Sequence, residues 1–325
     1  MKLPTFEEVV AVKQLTKDER MKDYGKLTEW NGSDSGVKLC GNAYLQHYQT
    51  ANIFKTSFEG RPSLYDTFQK RELLEQLYKN TCTKDEDKLA INMPQAFTRR
   101  SPVCFFKPSI AKYLYQKFNA TKVLDMTAGW GGRMIGALAC GIDYVGIDTN
   151  VSLKDAYDQM ITELSHISKG KARMIWNSWK DVDLSQVEFD FMMTSPPYFN
   201  KEVYENMTPF KNKDEYYNDF LIPMIQSALE HIQQNGWVCI NINPEFYDEL
   251  VGKYKFPEAQ KIEKFQQSTR KKDGEIKYEN VYCWTSNAPK KVVQKKQDCV
   301  GCADCLVKDA EIKKLKEMLK LALQI

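Results

Sequence analysis

Four consecutive residues near the middle of the chain form a rigid corner that suits a planar ligand bearing an amino group. They are Ser195, Pro196, Pro197 and Tyr198. Two prolines in a row fix the backbone and remove two N–H donors, so the carbonyl groups beside them are left able to accept hydrogen bonds. The serine hydroxyl adds a polar contact, and the tyrosine ring adds a flat stacking surface. A ring that carries an exocyclic NH2 group fits this combination.

A second group of residues, upstream of the first, has the pattern of a nucleotide site. A glycine-rich turn at residues 127–133 lies between a predicted strand and a predicted helix. Such glycines let the backbone approach a ligand closely, and the helix N-terminus favours negative charge. The spacing differs from the dinucleotide motif G-x-G-x-x-G, and the sequence has no Gly-Lys-Ser/Thr for a triphosphate. The turn therefore predicts a nucleotide-like ligand of another kind.

Two aspartates narrow the choice of ligand. Asp125 stands just before the turn, where it would repel a pyrophosphate but could pair with an ammonium group. Asp148 ends the next predicted strand, where a carboxylate accepts the hydroxyls of a ribose. Asn177 and Trp179 follow the third strand, where an adenine ring would lie. A ligand with an amine, a ribose and no phosphates fits S-adenosylmethionine.

The elements that position these residues alternate along the chain. The predicted strands are residues 122–126, 144–148, 172–176, 191–193 and 237–242, with helices between them at residues 134–140, 153–167 and 216–234. Residues 259–266 and 280–285 are predicted to form a closing antiparallel hairpin. Strands that alternate with helices at this spacing predict an α/β fold with a Rossmann-like, doubly wound, mostly parallel sheet of seven strands.

The length of 325 residues allows one large α/β domain with appendages. We expect an N-terminal appendage at residues 1–100 that could recognise substrate, a catalytic domain at residues 101–288 and a tail at residues 289–325. The appendage is predicted to carry a short helix within residues 1–20 and a longer one over residues 65–80. A hydrophobic content of 42% is ample for a sizeable core.

The cysteine content and the apolar segments also indicate the cellular compartment of the protein. The nine cysteines are mostly single residues in apolar stretches, which is typical of reduced thiols in a cytoplasm. Residues 1–8 do not read as a secretory leader and no apolar run approaches a membrane span, so we expect a soluble protein with no membrane partner. The net charge of +3 is too small to indicate a partner. The sequence therefore predicts a cytoplasmic location, in the host if the protein is viral.

The tail contains a possible metal site. Its cysteines are Cys299, Cys302 and Cys305. Tetrahedral zinc needs four ligands, so one more is required. The candidates are Cys283, His47, His166, His231 and a residue of a partner chain. The alternative is three reduced cysteines in a flexible linker. The lysine-rich helix expected after them is a candidate for oligomerisation.

Residues 123–132 and 195–198 together resemble the two motifs of the amino-methyltransferases that act on exocyclic nitrogens of DNA bases. The first resembles the cofactor motif, and the second the catalytic motif (Asp/Asn/Ser)-Pro-Pro-(Tyr/Phe/Trp). Residues 106–108 resemble the element that holds the methionine end of the cofactor. The turn and the Ser-Pro-Pro-Tyr-Phe segment are also similar to a phage and viral branch of the family. The predicted cofactor-binding residues are then Lys107, Asp125, Thr127, Gly129, Gly131, Asp148 and Asn177.

The resemblance, which covers residues 100–285, implies methyl transfer from S-adenosylmethionine to a base flipped out of a DNA duplex. Tyr198 would stack on that base, with Phe199 as a second wall. The Ser195 side chain and the Pro196 carbonyl would accept hydrogen bonds from the amino group. Serine at the first position of the motif favours N4 of cytosine over N6 of adenine in this family.

The sequence also allows other functions. Adenine N6 in DNA or a base in RNA could be the target. A different class is a catalytically silent methyltransferase fold that serves as a nucleic-acid-binding subunit, which the intact Asp125 and Asp148 disfavour. A protein-side-chain methyltransferase shares the motif Asn-Pro-Pro-Tyr, and Ser195 disfavours it. Residues 1–100 and the aromatic and basic loop at residues 200–214 are the candidates for further substrate contacts.

Overall fold

The computed structural model describes residues 3–32, 39–81, 88–98, 103–197, 199, 202–203, 209–266 and 278–286. The helices are α1 (Phe6–Ala11), α2 (Lys17–Glu29), α3 (Asn42–Lys55), α4 (Leu64–Gln69), α5 (Arg71–Lys79), α6 (Leu89–Thr98), α7 (Pro108–Lys117), α8 (Gly132–Ala139), α9 (Lys154–Leu164), α10 (Lys213–Glu215), α11 (Ile222–His231) and α12 (Pro244–Gly252). The strands are β1 (Ser57–Phe58), β2 (Lys122–Asp125), β3 (Asp143–Asp148), β4 (Ala172–Trp176), β5 (Phe191–Thr194), β6 (Glu202–Val203), β7 (Trp237–Asn241), β8 (Lys261–Gln266) and β9 (Tyr278–Thr285).

Seven of the strands form one sheet in the order β4-β3-β2-β5-β7-β9-β8. The first five run parallel, β9 runs antiparallel to β7, and β8 runs antiparallel to β9. The predicted doubly wound sheet with its closing hairpin is confirmed. The chain order reverses between β2 and β5, and open α/β sheets bind ligands outside the carboxyl ends of the strands at such a point.

Strand β5 is buried on both of its faces, which explains why its sequence is a continuous apolar run. Phe191 and Met193 belong to the apolar cluster under α7, α8 and α9, whereas Met192 belongs to the cluster under α11 and α12. Phe191 packs edge-on against Tyr115 of α7, with ring centroids 5.6 Å apart. Alternate residues of one strand thus hold helices on opposite faces of the sheet.

Part of the N-terminal region packs directly on this sheet. Leu27 of α2 and Leu45 of α3 are fully buried in the same cluster as α7 and α8. Lys112 of α7 donates to the carbonyl oxygens of Leu27 and Thr28 at 2.9 and 2.8 Å, and burial lowers its pKa. Helices α1, α4, α5 and α6 share a separate small cluster. Strand β1 pairs antiparallel with β6, which brings this region to the segment after β5.

The prediction of a single helix over residues 65–80 is wrong, because this segment forms two helices. The backbone at Lys70 is extended, with φ −121° and ψ 107°, so α4 ends before it and α5 begins after it. Ser63 caps α4 by accepting a hydrogen bond from the backbone N–H of Asp66. The apolar period of Leu73, Leu74 and Leu77 belongs to the second helix alone.

Several predictions for the C-terminal part lie outside the described residues. They concern the turn between the two strands of the closing hairpin, the cysteine segment and the final helix. Cys283 is fully buried in β9 opposite Cys239, and its thiol donates to the Val281 carbonyl. Its role as a zinc ligand stays a prediction, because the other three cysteines lie outside the described residues. The described residues contain no cluster of three or more His, Cys, Asp or Glu that could hold a metal ion. None of their helices is both long and apolar enough to cross a membrane.

Two helical glycines provide a test of packing between α7 and α8. A Cβ on Gly136 would lie 2.7 Å from both the Ala111 Cβ and the Pro108 carbonyl oxygen, whereas a Cβ on Gly25 meets nothing within 4 Å. We expect Gly136→Ala to lower the free energy of unfolding by about 1–3 kcal/mol through overpacking. Gly25→Ala should raise it by about 0.5–1 kcal/mol, because alanine has the better helix propensity. Urea unfolding of both variants measures the difference, and equal effects would contradict the close packing.

Candidate functional site

A cavity of about 430 Å³ lies at the carboxyl ends of β2, β3, β4 and β5. Its size falls within the range of small-molecule sites. The lining residues are Met126, Thr127, Gly129, Trp130, Asp148, Thr149, Asn150, Leu153, Asn177, Ser178, Trp179, Lys180, Ser195, Pro197, Phe210 and Phe220. The cavity therefore sits where the order of the sheet reverses, as the fold leads one to expect.

The two predicted motifs meet in this cavity. The predicted site residues that line it are Thr127, Gly129, Asp148, Asn177, Ser195 and Pro197. Those that lie outside the described lining are Lys107, Asp125, Gly131 and Pro196. Tyr198 lies outside the described residues. Residues far apart in the sequence thus share one wall, because β2 and β5 are neighbouring parallel strands.

Asp148 presents a carboxylate to the cavity. Its Oδ2 accepts from the Gly129 backbone N–H at 2.7 Å, and its Oδ1 accepts from the Asn150 backbone N–H at 2.8 Å. A carboxylate has about four acceptor positions, so it retains capacity for further donors. Burial raises the pKa of Asp148, although these two N–H groups oppose the rise. The arrangement positions the glycine turn and leaves an acceptor for hydroxyl groups.

Asp125 is not available to a ligand, and the structure corrects its assignment as the partner of an ammonium group. Its side chain is 0% exposed. Arg133 Nε donates to Oδ2 at 2.6 Å, and the Tyr144 hydroxyl donates to the same oxygen at 2.7 Å. The Thr194 hydroxyl donates to Oδ1 at 2.8 Å. These donors surround the carboxylate from within the fold, so Asp125 supports the turn instead of contacting the cavity.

The ion pair between Arg133 and Asp125 is buried on both sides, since Arg133 is only 4% exposed. Burial alone would lower the pKa of Arg133, but the Asp125 carboxylate raises it above the ordinary value, so the guanidinium stays charged. Burial raises the pKa of Tyr144 well above its usual range, and the Asp125 charge raises it further. Tyr144 therefore remains a hydroxyl donor. Arg133 Nη2 also donates to the Thr127 carbonyl at 2.6 Å.

Two threonine hydroxyls connect this pair to the Ser-Pro-Pro corner. Because Asp125 can only accept, the Thr194 hydrogen points to it and Thr194 Oγ1 accepts from the Thr127 backbone N–H at 3.1 Å. The Thr127 hydroxyl then donates to Thr194 Oγ1 at 2.5 Å, and the Ser195 carbonyl oxygen lies 3.3 Å from the same hydroxyl. The glycine turn and the start of the corner are thus held in one hydrogen-bonded unit.

The glycine turn is closely packed on the side away from the cavity. Gly131 has φ +92°, and a Cβ there would lie 3.3 Å from the Tyr157 ring. A Cβ on Gly132 would lie 1.9 Å from the Phe106 carbonyl oxygen, so only glycine fits. Lys107 follows Phe106 and precedes the first turn of α7. Direct contacts of Gly131 and Lys107 with a cofactor therefore stay predictions.

Sequence reasoning missed Asn241, which holds the Ser195 side chain. The Ser195 hydroxyl donates to Asn241 Oδ1 at 3.2 Å. Asn241 is 2% exposed, and its Nδ2 donates to the Asn280 carbonyl oxygen at 2.9 Å. The available signal was an amide at the end of the otherwise apolar strand β7. Arg133 was missed as well, because an arginine in the first turn of a helix is ordinarily exposed.

An aromatic wall closes one side of the cavity and was only partly foreseen. Phe210 and Phe220 pack edge to face with ring centroids 5.3 Å apart, and Trp179 lies 6.0 Å from Phe220. Phe220 lies in a π-helical turn, Tyr216–Leu221, where a regular helix was predicted. Such turns occur often at functional sites. The wall gives the cavity flat apolar surfaces that suit an aromatic ring.

No protein-family profile matches this chain, and no curated protein sequence matches it. Among solved structures it is similar to TrmN from Thermus thermophilus, at 16% identity and a TM-score of 0.37 over 59% of this chain and 52% of that chain. It is also similar to a methyltransferase from Pyrococcus furiosus, at 14% identity and a TM-score of 0.39 over 55% of this chain and 82% of that chain. An rRNA methylase from Streptococcus thermophilus matches at 12% identity with a TM-score of 0.36, over 56% of this chain and 99% of that chain. The match thus spans about half of the Thermus thermophilus protein.

The buried pair between Arg133 and Asp125 makes a specific stability prediction. Arg133→Met leaves a buried carboxylate without its counter-charge, so we expect the free energy of unfolding to fall by about 3–5 kcal/mol. Adding Asp125→Asn to that variant should recover part of the loss. The exposed pair of Lys154 and Asp158 is the control, and Asp158→Asn should change stability by no more than the error of a urea titration. If the free energy of unfolding falls no more in Arg133→Met than in Asp158→Asn, the buried pair does not support the fold.

Proposed function

We propose that the chain is an S-adenosylmethionine-dependent methyltransferase that acts on the exocyclic amino group of a nucleic-acid base, with N4 of cytosine in DNA as the target. One observation carries the proposal. The glycine turn with Asp148 and the corner that begins at Ser195 open into the same cavity, although they come from different parts of the chain. A donor site and an acceptor site must share a cavity if a group is to pass directly between their ligands.

The chemistry of the cavity fits S-adenosylmethionine better than a phosphorylated nucleotide. Asp148 supplies the acceptor for ribose hydroxyls, and Trp179 and Phe220 supply flat surfaces for a purine ring. Among the described lining residues, Lys180 is the only basic side chain, whereas phosphate groups call for clustered positive charge. When bound, the cofactor would supply an electrophilic methyl group.

The base side of the cavity supports transfer to an amino nitrogen. Ser195 Oγ can accept an N–H from the base, and the stiff Pro196–Pro197 segment keeps that oxygen in place. An accepted hydrogen bond draws electron density toward the nitrogen and orients its lone pair. The nitrogen would bond to the methyl carbon as the bond from that carbon to sulfur breaks, which would leave S-adenosylhomocysteine, and the methylated nitrogen would then lose one proton to solvent. Orientation would supply most of the rate, and no covalent bond to the protein is required. Tyr198 is proposed to stack on the flipped base, as the motif predicts.

A methyl-transfer assay tests the proposal. The purified chain would receive methyl-labelled S-adenosylmethionine with duplex DNA, single-stranded DNA or RNA of mixed sequence, followed by nucleoside analysis. We expect label in N4-methylcytosine from DNA. Ser195→Ala should lower the initial rate by about tenfold or more, because a hydrogen bond to the reacting group is lost. The matched control, Ser165→Ala, changes an exposed serine that directly follows α9 and donates to the Thr162 carbonyl oxygen, and it should keep the wild-type rate.

The same assay distinguishes the alternatives. Label on adenine N6 would keep the fold and the amino-transfer chemistry but overturn the choice of cytosine. Label found in RNA alone would show that the substrate is RNA and not DNA. If the chain binds S-adenosylhomocysteine but labels no nucleic acid, the methyltransferase activity proposed here is wrong and a binding subunit is the better description.

Asp148 makes cofactor binding depend on pH. Its pKa is raised by burial, so acidification protonates it at a higher pH than an ordinary aspartate. The protonated form is a poorer acceptor of ribose hydroxyls. We therefore expect the Kd for S-adenosylhomocysteine, measured by calorimetry from about pH 7.5 to about pH 5, to rise as the pH falls. Asp148→Asn should bind more weakly with a nearly flat profile. A slope that persists in Asp148→Asn would show that another group is responsible.

A further inference from the structure

Asn241 lies behind Ser195 at the same edge of the sheet. Thr194 of β5 pairs with Ile240 of β7, so Ser195 and Asn241 are the next residues of two neighbouring parallel strands. Asn241 is buried and does not belong to the described lining of the cavity, whereas Ser195 does. Asn241 can therefore act on a ligand only through the groups that it contacts.

The orientation of the Asn241 amide follows from its other neighbours. Its Nδ2 lies 2.9 Å from the carbonyl oxygen of Asn280 and 3.5 Å from Glu279 Oε2. A carbonyl oxygen and an ionised carboxylate only accept hydrogen bonds, so the NH2 end of the amide must face them. The oxygen end then faces Ser195, at 3.2 Å from Oγ. An amide oxygen only accepts, so Ser195 must be the donor of this bond.

The direction of that bond decides what Ser195 offers to a ligand. A serine hydroxyl has one hydrogen and two lone pairs. When the hydrogen is directed to Asn241, the oxygen presents lone pairs to the cavity. We propose that Asn241 is a positioning residue that makes Ser195 an acceptor, and that it thereby selects bases carrying an amino group over bases carrying a carbonyl oxygen at that position. The inference rests on the proposed function and deepens it.

The selection has a simple physical origin. An amino group donates to Ser195 Oγ, whereas a carbonyl oxygen would place its lone pairs against those of Ser195. An unsatisfied or repelled polar group in a buried site costs about 1–3 kcal/mol, which corresponds to about 5-fold to about 150-fold in affinity. Without Asn241 the Ser195 hydroxyl loses the acceptor that directs its hydrogen away from the cavity. Its hydrogen would then satisfy a carbonyl oxygen, and the discrimination would be lost.

Binding of matched single-stranded DNA oligonucleotides tests the role of Asn241 without relying on catalysis. Fluorescein-labelled oligo(dC) and oligo(dU), and likewise oligo(dA) and oligo(dI), differ by an amino group against a carbonyl oxygen. Anisotropy titrations with S-adenosylhomocysteine present give the ratio of the two Kd values in each pair. We expect the wild-type chain to favour the amino member of at least one pair by about tenfold. Asn241→Leu should bring that ratio close to one.

Two further variants separate positioning from a general structural role. Asn241→Asp keeps an acceptor opposite Ser195 and should retain the preference for the amino member, even if it is less stable. Asn243→Leu changes an exposed asparagine that makes no capping bond with its side chain, and its ratio should equal that of the wild type. Circular dichroism checks that each variant is folded, and Asn241→Ala replaces Asn241→Leu if the larger side chain is not accommodated.

The outcomes distinguish this inference from the proposed function. An unchanged ratio in folded Asn241→Leu, or no amino preference in the wild type, would overturn the role of Asn241. Methyl transfer by Asn241→Leu at the wild-type rate would also overturn it, while leaving the proposed function intact. A ratio that depends on Asn241 in a chain that transfers no methyl group would support the selection and contradict the proposed activity.

Discussion

The buried ion pair between Asp125 and Arg133 is the interaction on which the rest of the site depends. Asp125 ends β2, Arg133 lies in the first turn of α8, and Tyr144 and Thr194 reach the same carboxylate from β3 and β5. Removing two charges from water is costly, and such a pair is a poor source of net stability unless its hydrogen bonds are satisfied. Here the carboxylate is satisfied by donors on three elements, α8, β3 and β5. The pair therefore fixes the relative position of three strands and a helix at the edge where the cavity forms.

At the edge of the sheet where the cavity forms, the direction of these hydrogen bonds is set by a carboxylate and a carbonyl oxygen, which can only accept. The Asp125 carboxylate orients the Thr194 hydroxyl, which in turn accepts from the backbone N–H and the hydroxyl of Thr127, and the Ser195 carbonyl oxygen lies 3.3 Å from that hydroxyl. On the other side, the Asn280 carbonyl orients the Asn241 amide. Ser195 is held by both arrangements. The donor and acceptor pattern of the cavity is thus decided several residues away from the cavity itself.

The sequence predicted the fold well because the sheet leaves a strong local signal. Strands buried on both faces, such as β2 and β5, read as apolar runs, and the glycines of the turn are required by positive φ and by the close approach of the Phe106 carbonyl to Gly132. The division of the helix at Lys70 and the π-helical turn around Phe220 left no comparable signal. Both features depend on how the segment packs against neighbouring elements. Helical periodicity indicates only which residues share one face of the same helix.

By itself, the sequence determined which residues could meet a ligand, because motif spacing places Asp148 and Ser195 at the ends of parallel strands. Only the tertiary structure decided what each of them does. Asp125 and Asp148 have the same chemistry and similar positions after a strand, yet one is enclosed by Arg133 and the other faces the cavity. Asn241 has no motif at all. Its effect on Ser195 depends on a contact between two neighbouring strands that are distant in sequence. The residue type at one position does not tell which residue lies opposite it in the sheet.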